Sequence, residues 1–443
     1  MIPALAFDRS IVAVRQDELV NALLELTAPI VPVEHRAPLD IVAVIDRSGS
    51  MAGEPLRAVC DAVAGLLRVT GPDDRIGVVT FDDQVHVVLP LARHDRDVAE
   101  RTVRAISSGG STNLSAGWLK GVELLEAAPR PDAVRRVVLL TDGHANHGVT
   151  GRDQLASLVR GATARDVSSS FIGFAHGYDE ELLAALADAG RGNDYFCADA
   201  DAAAAVFGQE FTGLAAVAAQ NLSVEIRPSA QVAAMRVRHD FPAQQHPDGG
   251  LTVQIGDAYS GETRRLLVEL SLRPVHDHGP VDIATMTVKW AAVVGTPALH
   301  SVVVPVVVHG GTADEITEAT ADPRVVEAIA VLDGAAAQRA ARELAQQGEF
   351  GQASALLRST AQQLRYVGLV TDADQLDASA SEIEVGGYDA ASSKRLWSLQ
   401  REKSRGRRSN FDTQWDRTTG SGTGTPGDPT TGSPTDPAGS DPL

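Results

Sequence analysis

A short apolar run that ends on a carboxylate constrains this chain more than any other feature. Residues 39–45 are apolar except for Asp40, and Asp46 follows them directly. Such a run is typical of a strand that is buried on both faces, as in a parallel sheet covered by helices. Asp46, Ser48 and Ser50 then place three oxygen side chains at alternate positions. In the loop after a parallel strand, that spacing can turn all three toward one point beyond the sheet.

This spacing alone does not distinguish a metal site from an ordinary turn, which also uses Asp, Ser and Gly. Two later stretches favour a site. Thr112 follows a Gly-Gly-Ser segment at 109–111, and Asp142 follows closely on a second apolar run at 137–140. Together the three stretches would place five oxygen-bearing side chains on one rim. Ligands that are all oxygen suit a hard divalent cation, so we expect Mg²⁺ or Mn²⁺ there.

In this order, the motifs resemble the metal-ion-dependent adhesion site of the von Willebrand factor type A domain family, whose pattern is D-x-S-x-S, then Thr, then Asp. The resemblance extends over about residues 39–211, and all five positions match. It implies that the cation is held directly or through water by Asp46, Ser48, Ser50, Thr112 and Asp142. With only two carboxylates among the ligands, the cation would keep one open position. An Asp or Glu of a protein partner would then complete its coordination.

The stretch from residue 36 to residue 215, which we assign to the metal-binding domain, alternates strand and helix patterns. Helical spacing is clear at 54–70 and 114–127, and apolar strands are predicted at 75–81 and 169–174. This alternation predicts an α/β fold with a doubly wound, mostly parallel sheet. Ligands of such sheets bind beyond the carboxyl ends of the strands, which is where the motifs fall.

Residues 220–312 carry short strand patterns separated by Pro, Gly, Asp and His, and they predict an antiparallel β-sandwich. Residues 1–35 favour strands as well, although 19–27 also fits a helix. We expect strands from 8–34 to complete the sandwich, with the metal-binding domain inserted between its two parts.

The C-terminal part has three features. Residues 320–405 are helical in pattern, with a break at 348–351 that indicates an antiparallel helix pair. The tail 418–443 is rich in Gly, Ser, Thr, Pro and Asp and is predicted to be disordered. We interpret a basic group as a solvated helix end rather than a site for an acidic partner. Its members are Arg401, Lys403, Arg405, Arg407 and Arg408. The helical part and residues 256–265 also look like bacterial type A proteins distantly similar to inter-alpha-trypsin inhibitor heavy chains.

The composition indicates which classes of partner and which cellular compartment to expect. A formal net charge of -19 opposes binding to nucleic acid or to anionic membranes, which both require positive surface. The only cysteines, Cys60 and Cys197, support neither a disulfide framework nor a cysteine-rich zinc site, and we expect reduced, buried thiols. The first 15 residues do not resemble a signal peptide, and no run is long enough to cross a bilayer. We therefore expect a cytoplasmic bacterial protein without membrane insertion.

Other polar residues near the motifs have simpler interpretations. Asp82 and Asp83 end a predicted strand and are expected to cap a turn. His144 and His147 are interpreted as loop histidines because no further His or Cys lies nearby. Trp118 falls on an apolar helix side and is expected in the core.

The leading functional hypothesis is a metal-dependent protein-protein interaction module rather than an enzyme. A metal-dependent hydrolase is the alternative, but the serines lie in neither a G-x-S-x-G elbow nor a P-loop, and the motif contains no His or Lys base. We therefore assign no catalytic residues. A third possibility is an adaptor of an AAA+ ATPase or of a secretion machine, which differs from the first only in the partner.

Overall fold

The computed structural model describes residues 1–408, except 33–35, 144, 175–176, 198–199, 293–297, 385–387 and 406. The predictions for His144 and for the tail 418–443 therefore lie outside the described residues. Within the described part, no helix combines the length and the apolar character needed to span a membrane.

The chain begins with three strands: β1 (Ile2–Phe7), β2 (Ile11–Ala13) and β3 (Glu18–Thr27). The helix that residues 19–27 also fit does not form. β3 is a strand because it has a neighbour on each side, β1 on one edge and a later strand on the other, so its backbone groups are paired in a sheet.

An α/β domain follows, with alternating strands and helices. Its elements are β4 (Leu39–Asp46), α1 (Glu54–Val69), β5 (Arg75–Phe81), β6 (Val85–Ala92), α2 (Arg96–Arg104), α3 (Leu114–Ala127), β7 (Val134–Thr141), α4 (Arg152–Thr163), β8 (Ser168–Phe174), α5 (Glu180–Gly190), β9 (Arg191–Cys197) and α6 (Ala200–Ala215). The strands form one sheet in the order β6-β5-β4-β7-β8-β9, parallel except for the edge strand β6.

The central strand β4 is buried along its whole length, as its continuous apolar pattern predicts. Helices α1, α2 and α6 cover one face of the sheet, and α3, α4 and α5 cover the other. Cys60 and Cys197 are free thiols buried in the first of these layers, where burial raises the pKa of Cys60 to about 12. Because β5 and β7 flank β4 on opposite sides, the crevice at its carboxyl end is the switch point at which such sheets bind ligands.

Seven strands after the α/β domain form a β-sandwich with the N-terminal ones. They are β10 (Val217–Pro228), β11 (Val232–Val237), β12 (Ala243–Gln245), β13 (Leu251–Tyr259), β14 (Thr263–Leu272), β15 (Gly279–Ala292) and β16 (Ala298–Gly311). One sheet has the order β1-β3-β14-β11 and the other β12-β13-β10-β15-β16-β2. The chain thus leaves one sheet after β3, forms the α/β domain, and returns in the other sheet at β10.

Helices make up most of the remaining described chain: α7 (Ala313–Glu318), α8 (Pro323–Gln346), α9 (Phe350–Tyr366), α10 (Val370–Glu384) and α11 (Ala390–Ser404), before the short strand β17 (Arg407–Arg408). The last four of these helices, α8 to α11, pack together. The sequence predicted only an antiparallel pair, so the helical region is larger than predicted. The helices break at Gly348, as predicted, and also at Gly368, which was not predicted; both glycines have positive φ, at 83° and 85°.

Arg401, Lys403 and Arg405 are partly buried and paired with acidic side chains rather than solvated, so the prediction is wrong for these three, while the side chains of Arg407 and Arg408 lie outside the described part. Arg401 pairs with Asp188 and with Asp194, at 2.9 and 2.6 Å, and Arg405 also pairs with Asp188. Lys403 pairs with Asp372 at 2.7 Å. The acidic partner lies in the same chain, mainly on α5 and β9, and sequence spacing gave no sign that α11 would pack there.

His239 is expected to make the stability of the sandwich depend on pH. Burial, with Arg238 and Arg265 nearby, lowers the pKa of His239 to about 3, and its Nδ1 accepts a hydrogen bond from the Leu267 amide at 3.0 Å. The unfolded chain protonates this residue near its ordinary pKa of about 6.5, so the unfolded state binds more protons below that pH. Lowering the pH from 7 to 5 should therefore cost about 2 kcal/mol of stability through His239.

The matched variant is His239→Asn, which keeps an acceptor for the amide but does not titrate. Denaturant unfolding at both pH values should show a smaller loss in the variant than in the parent. The same loss in both proteins would contradict the assignment.

Candidate metal centre

The first motif lies at the end of the central strand. Asp46 is the last residue of β4, and a short 3₁₀ turn, Gly49–Met51, follows it. Met51 is fully buried in the core under the turn and anchors it. Gly53 then has φ +91°, a conformation that favours glycine, and starts α1. The loop is therefore fixed at both ends.

Hydrogen bonds connect four of the five predicted ligands. The amide of Ser48 donates to Oδ1 of Asp46 at 2.8 Å, and the hydroxyls of Ser48 and Ser50 are 3.2 Å apart. Ser50 Oγ donates to Oδ1 of Asp142 at 2.8 Å. The carboxylates that end or follow two neighbouring strands are thus linked by hydrogen bonds through the amide of Ser48 and the hydroxyls of Ser48 and Ser50.

Thr112 approaches from the loop before α3. The amides of Asn146 and His147 both donate to its carbonyl, at 3.3 and 3.2 Å, which fixes this loop to the one that carries Asp142. A Cβ added at Gly143 would lie 3.5 Å from Thr112 Oγ1. Thr112 is buried, and its hydroxyl lies next to Gly143, the residue that follows Asp142.

Asp82 positions this loop. Its carboxylate accepts hydrogen bonds from the amides of Gln84 and Gly110, at 2.7 and 3.1 Å, and pairs with Arg47 at 2.8 Å. The pKa of Asp82 is lowered because these donors outweigh the effect of its burial. Asp82 does cap a turn, as expected from the sequence, but it also ties the Thr112 loop to the residue after Asp46.

Thr141 is a contact that the sequence analysis missed. Its hydroxyl donates to Oδ2 of Asp46 at 2.6 Å and accepts from the amide of Gly143 at 3.1 Å. The parallel register pairs Ile45 with Leu140, so the next residues along, Asp46 and Thr141, lie side by side. Aligning the apolar runs 39–45 and 137–140 as neighbouring parallel strands would have predicted this contact.

The electrostatics of the site favour a bound cation. Burial raises the pKa of both Asp46 and Asp142, and the nearby Asp142 carboxylate raises the pKa of Asp46 further. Among the described residues, neither carboxylate has a salt-bridge partner, and Arg47 is engaged by Asp82. A divalent cation would provide the missing positive charge.

The donor set also fits the expected metals. It consists of two carboxylates and three hydroxyls, which suit Mg²⁺ or Mn²⁺. In the part of the chain that the structure describes, no group of three or more His, Cys, Asp or Glu residues could hold a metal. His147 and Asp83 are exposed, and Trp118 is buried in the core under α3.

Comparisons with known proteins match the α/β domain that carries these residues. The family model for the von Willebrand factor type A domain matches residues 40–209. The uncharacterized protein sll0103 of Synechocystis sp. is 30% identical over 254 residues, which are 54% of this chain and 58% of that protein. Inter-alpha-trypsin inhibitor heavy chain H1 of Mesocricetus auratus is 31% identical over 153 residues, 32% of this chain and 17% of the heavy chain. The chain thus spans less than two thirds of these curated relatives.

A solved structure extends the likeness beyond the α/β domain. The von Willebrand factor type A protein from Catenulispora acidiphila superimposes with a TM-score of 0.69 and covers 92% of this chain and 97% of its own. At 15% identity, this similarity is one of fold. The predicted α/β fold class and the family resemblance are both confirmed.

Proposed function

We propose that the von Willebrand factor type A domain at residues 40–209 is a metal-dependent protein-binding module, and that its cation accepts an Asp or Glu from a partner. The observation that carries this proposal is the pair of buried carboxylates, Asp46 and Asp142, that share one edge with three hydroxyls and have no basic partner among the described residues. A bound Mg²⁺ or Mn²⁺ would supply positive charge and an open coordination position.

The chain's own residues would hold and orient the cation. Asp46 is fixed by Thr141 and by the Ser48 amide, so its carboxylate cannot swing away. Ser50 and Asp142 are already within hydrogen-bond distance of each other, and each could move between direct and water-mediated contact with little rearrangement. The site therefore has one rigid side and one adjustable side.

The surface around the site suits a protein partner. Several small, uncharged residues at the edge of the site are exposed; they are Gly49, Ser50, Gly109, Gly110 and Ser111. Small side chains leave the cation accessible to a residue that projects from a broad surface. Specificity would then come from the loops around the site.

A metal-dependent hydrolase remains the second candidate, because the hydrogen bond from Ser50 to Asp142 resembles that of a nucleophile and its base. We favour the binding module because both groups are needed as metal ligands in the matched motif. An adaptor of an AAA+ ATPase or a secretion machine would use the same chemistry with a particular partner.

Affinity capture tests the proposal. The immobilised full chain is incubated with lysate from the source organism in Mg²⁺, in Mn²⁺ or in a chelator, and Asp46→Ala and Asp83→Asn are treated in parallel. Asp83 is a neighbouring exposed carboxylate outside the ligand set, so its variant is the matched control.

We expect a partner that the parent and Asp83→Asn retain with metal, and that a chelator releases. Asp46→Ala should not retain it. Retention that is unaffected by the chelator and by Asp46→Ala would contradict the proposal. Hydrolysis of phosphate or acyl esters by the parent with metal, absent in Asp46→Ala, would favour the hydrolase instead.

A further inference from the structure

Lys394 is an unusually buried lysine that connects α11 to the α/β domain. Only 6% of its side chain is exposed. Its Nζ donates to the carbonyl of Tyr178, lies 3.9 Å from the centre of the Tyr178 ring, and is 3.4 Å from Glu180. These three contacts all fall on the end of the β8–α5 loop and the first residue of α5. One side chain therefore fixes this segment to the helical region.

The segment that Lys394 holds lies directly behind Asp142. The Gly177 backbone packs so closely on the Asp142 carbonyl that an added Cβ would be 2.7 Å from the oxygen. A shift of residues 177–178 would therefore change the space available to the backbone of Asp142.

A second line of contact leads to Asp46. The ring of Tyr178 covers Gly173 so closely that a Cβ there would lie 2.4 Å from ring carbons. Gly173 is paired with Thr141 in the sheet, and Thr141 donates to Asp46 at 2.6 Å. Tyr178 thus supports both acidic ligands, one through Gly177 and one through Gly173 and Thr141.

We infer that Lys394 is a positioning residue for the metal centre, and that its contact with Tyr178 and Glu180 sets the affinity of the site for its cation. This inference rests on the proposed function, since it requires that the site binds metal. With Lys394 in place, Tyr178 is pressed onto the sheet and the two acids keep the geometry described above. The coupling is reciprocal, so bound metal should also hold α11 more firmly.

The test is calorimetric titration of the full chain with MgCl₂ and with MnCl₂ at constant ionic strength. Lys394→Met removes the charge but keeps much of the apolar stem. We expect it to weaken metal binding about 5- to 30-fold, within the range of ordinary coupling between sites. Arg401→Gln is the matched control, because Arg401 joins α11 to Asp188 and Asp194 without contacting Tyr178 or Gly177. Its affinity should stay within about twofold of the parent.

Hydrogen exchange supplies an independent readout. Saturating Mg²⁺ should slow amide exchange in residues 390–404 of the parent and have a smaller effect in Lys394→Met. If Lys394→Met does not fold, Glu180→Gln tests the same contact more mildly and should shift the affinity in the same direction.

The outcomes separate the inference from the proposed function. A parent that binds neither metal, like Asp46→Ala, would refute the proposed function. A parent that binds metal with the same affinity as folded Lys394→Met or Glu180→Gln would refute only the coupling. Equal weakening in Arg401→Gln would also refute it, since the effect would then be general loosening.

Discussion

Replacing Arg136 with methionine is expected to lower the free energy of unfolding by about 3–5 kcal/mol, because it leaves buried carboxylates without their cation. Arg136 lies on β7 and is completely buried. It pairs with Glu210 of α6 at 3.2 Å and with Asp257 of β13 at 2.5 Å, and its Nε donates to Ser168 at 2.9 Å. Burial opposes the charge, yet the two carboxylates outweigh it and raise the pKa of Arg136.

The two acids respond differently to their shared partner. Burial raises the pKa of Asp257 despite Arg136, whereas Arg136 and hydrogen bonds from Ser170, Asn193 and Tyr195 outweigh burial and lower the pKa of Glu210. Without Arg136, Glu210 would lose its main reason to stay ionised. Because Asp257 belongs to the sandwich, the variant should also loosen the contact between sandwich and α/β domain.

Urea unfolding followed by circular dichroism measures this effect. Arg93→Met is the control, since Arg93 and its partner Asp73 are both largely exposed and their pair should contribute little. A loss below about 1 kcal/mol in Arg136→Met would show that the cluster relaxes or admits water, and would contradict the prediction.

Asp46→Ala is expected to abolish the stabilisation that metal gives the parent. At a free Mg²⁺ concentration of about 100 times the dissociation constant, the parent should gain about 2.7 kcal/mol, and the variant none. In a chelator the two proteins should differ by no more than about 1 kcal/mol, because the variant loses hydrogen bonds from Thr141 and Ser48 but also a buried, uncompensated charge.

Thermal unfolding with and without Mg²⁺ checks this prediction, with Asp83→Asn as the matched control. The control should keep the metal-dependent rise in Tm. If Asp46→Ala kept it as well, the cation would bind elsewhere and the coordination proposed above would be wrong.

The α/β fold was predictable because each local pattern agreed with the final structure. A buried strand such as β4 needs a continuous apolar run, and α1 and α3 show helical spacing of apolar residues. The candidate ligands were also visible, since a carboxylate at the end of a buried strand has few structural uses. The residues that supported these predictions have neighbours in space that are also their neighbours in sequence or lie in adjacent strands.

The contacts that the sequence did not reveal are made between distant segments. Asp82 reaches the loop before Thr112, and Arg401 meets Asp194 more than 200 residues away in the chain. Exposed charged residues and buried ion pairs use the same residue types, so the periodicity of the sequence cannot tell them apart. Lys394 was overlooked for this reason.

The arrangement of the strands also determines the order in which a nascent chain can fold. The hydroxyls of Thr27 and Thr263 are hydrogen-bonded although the residues lie 236 positions apart, and all of β3 is paired with β14. The α/β domain between them is contiguous and can fold as soon as it leaves the ribosome. β3, with Val20, Leu24 and Leu26 destined for the sandwich core, must wait for β14. During synthesis the edge of this apolar strand that pairs with β14 therefore stays exposed until β14 has been made.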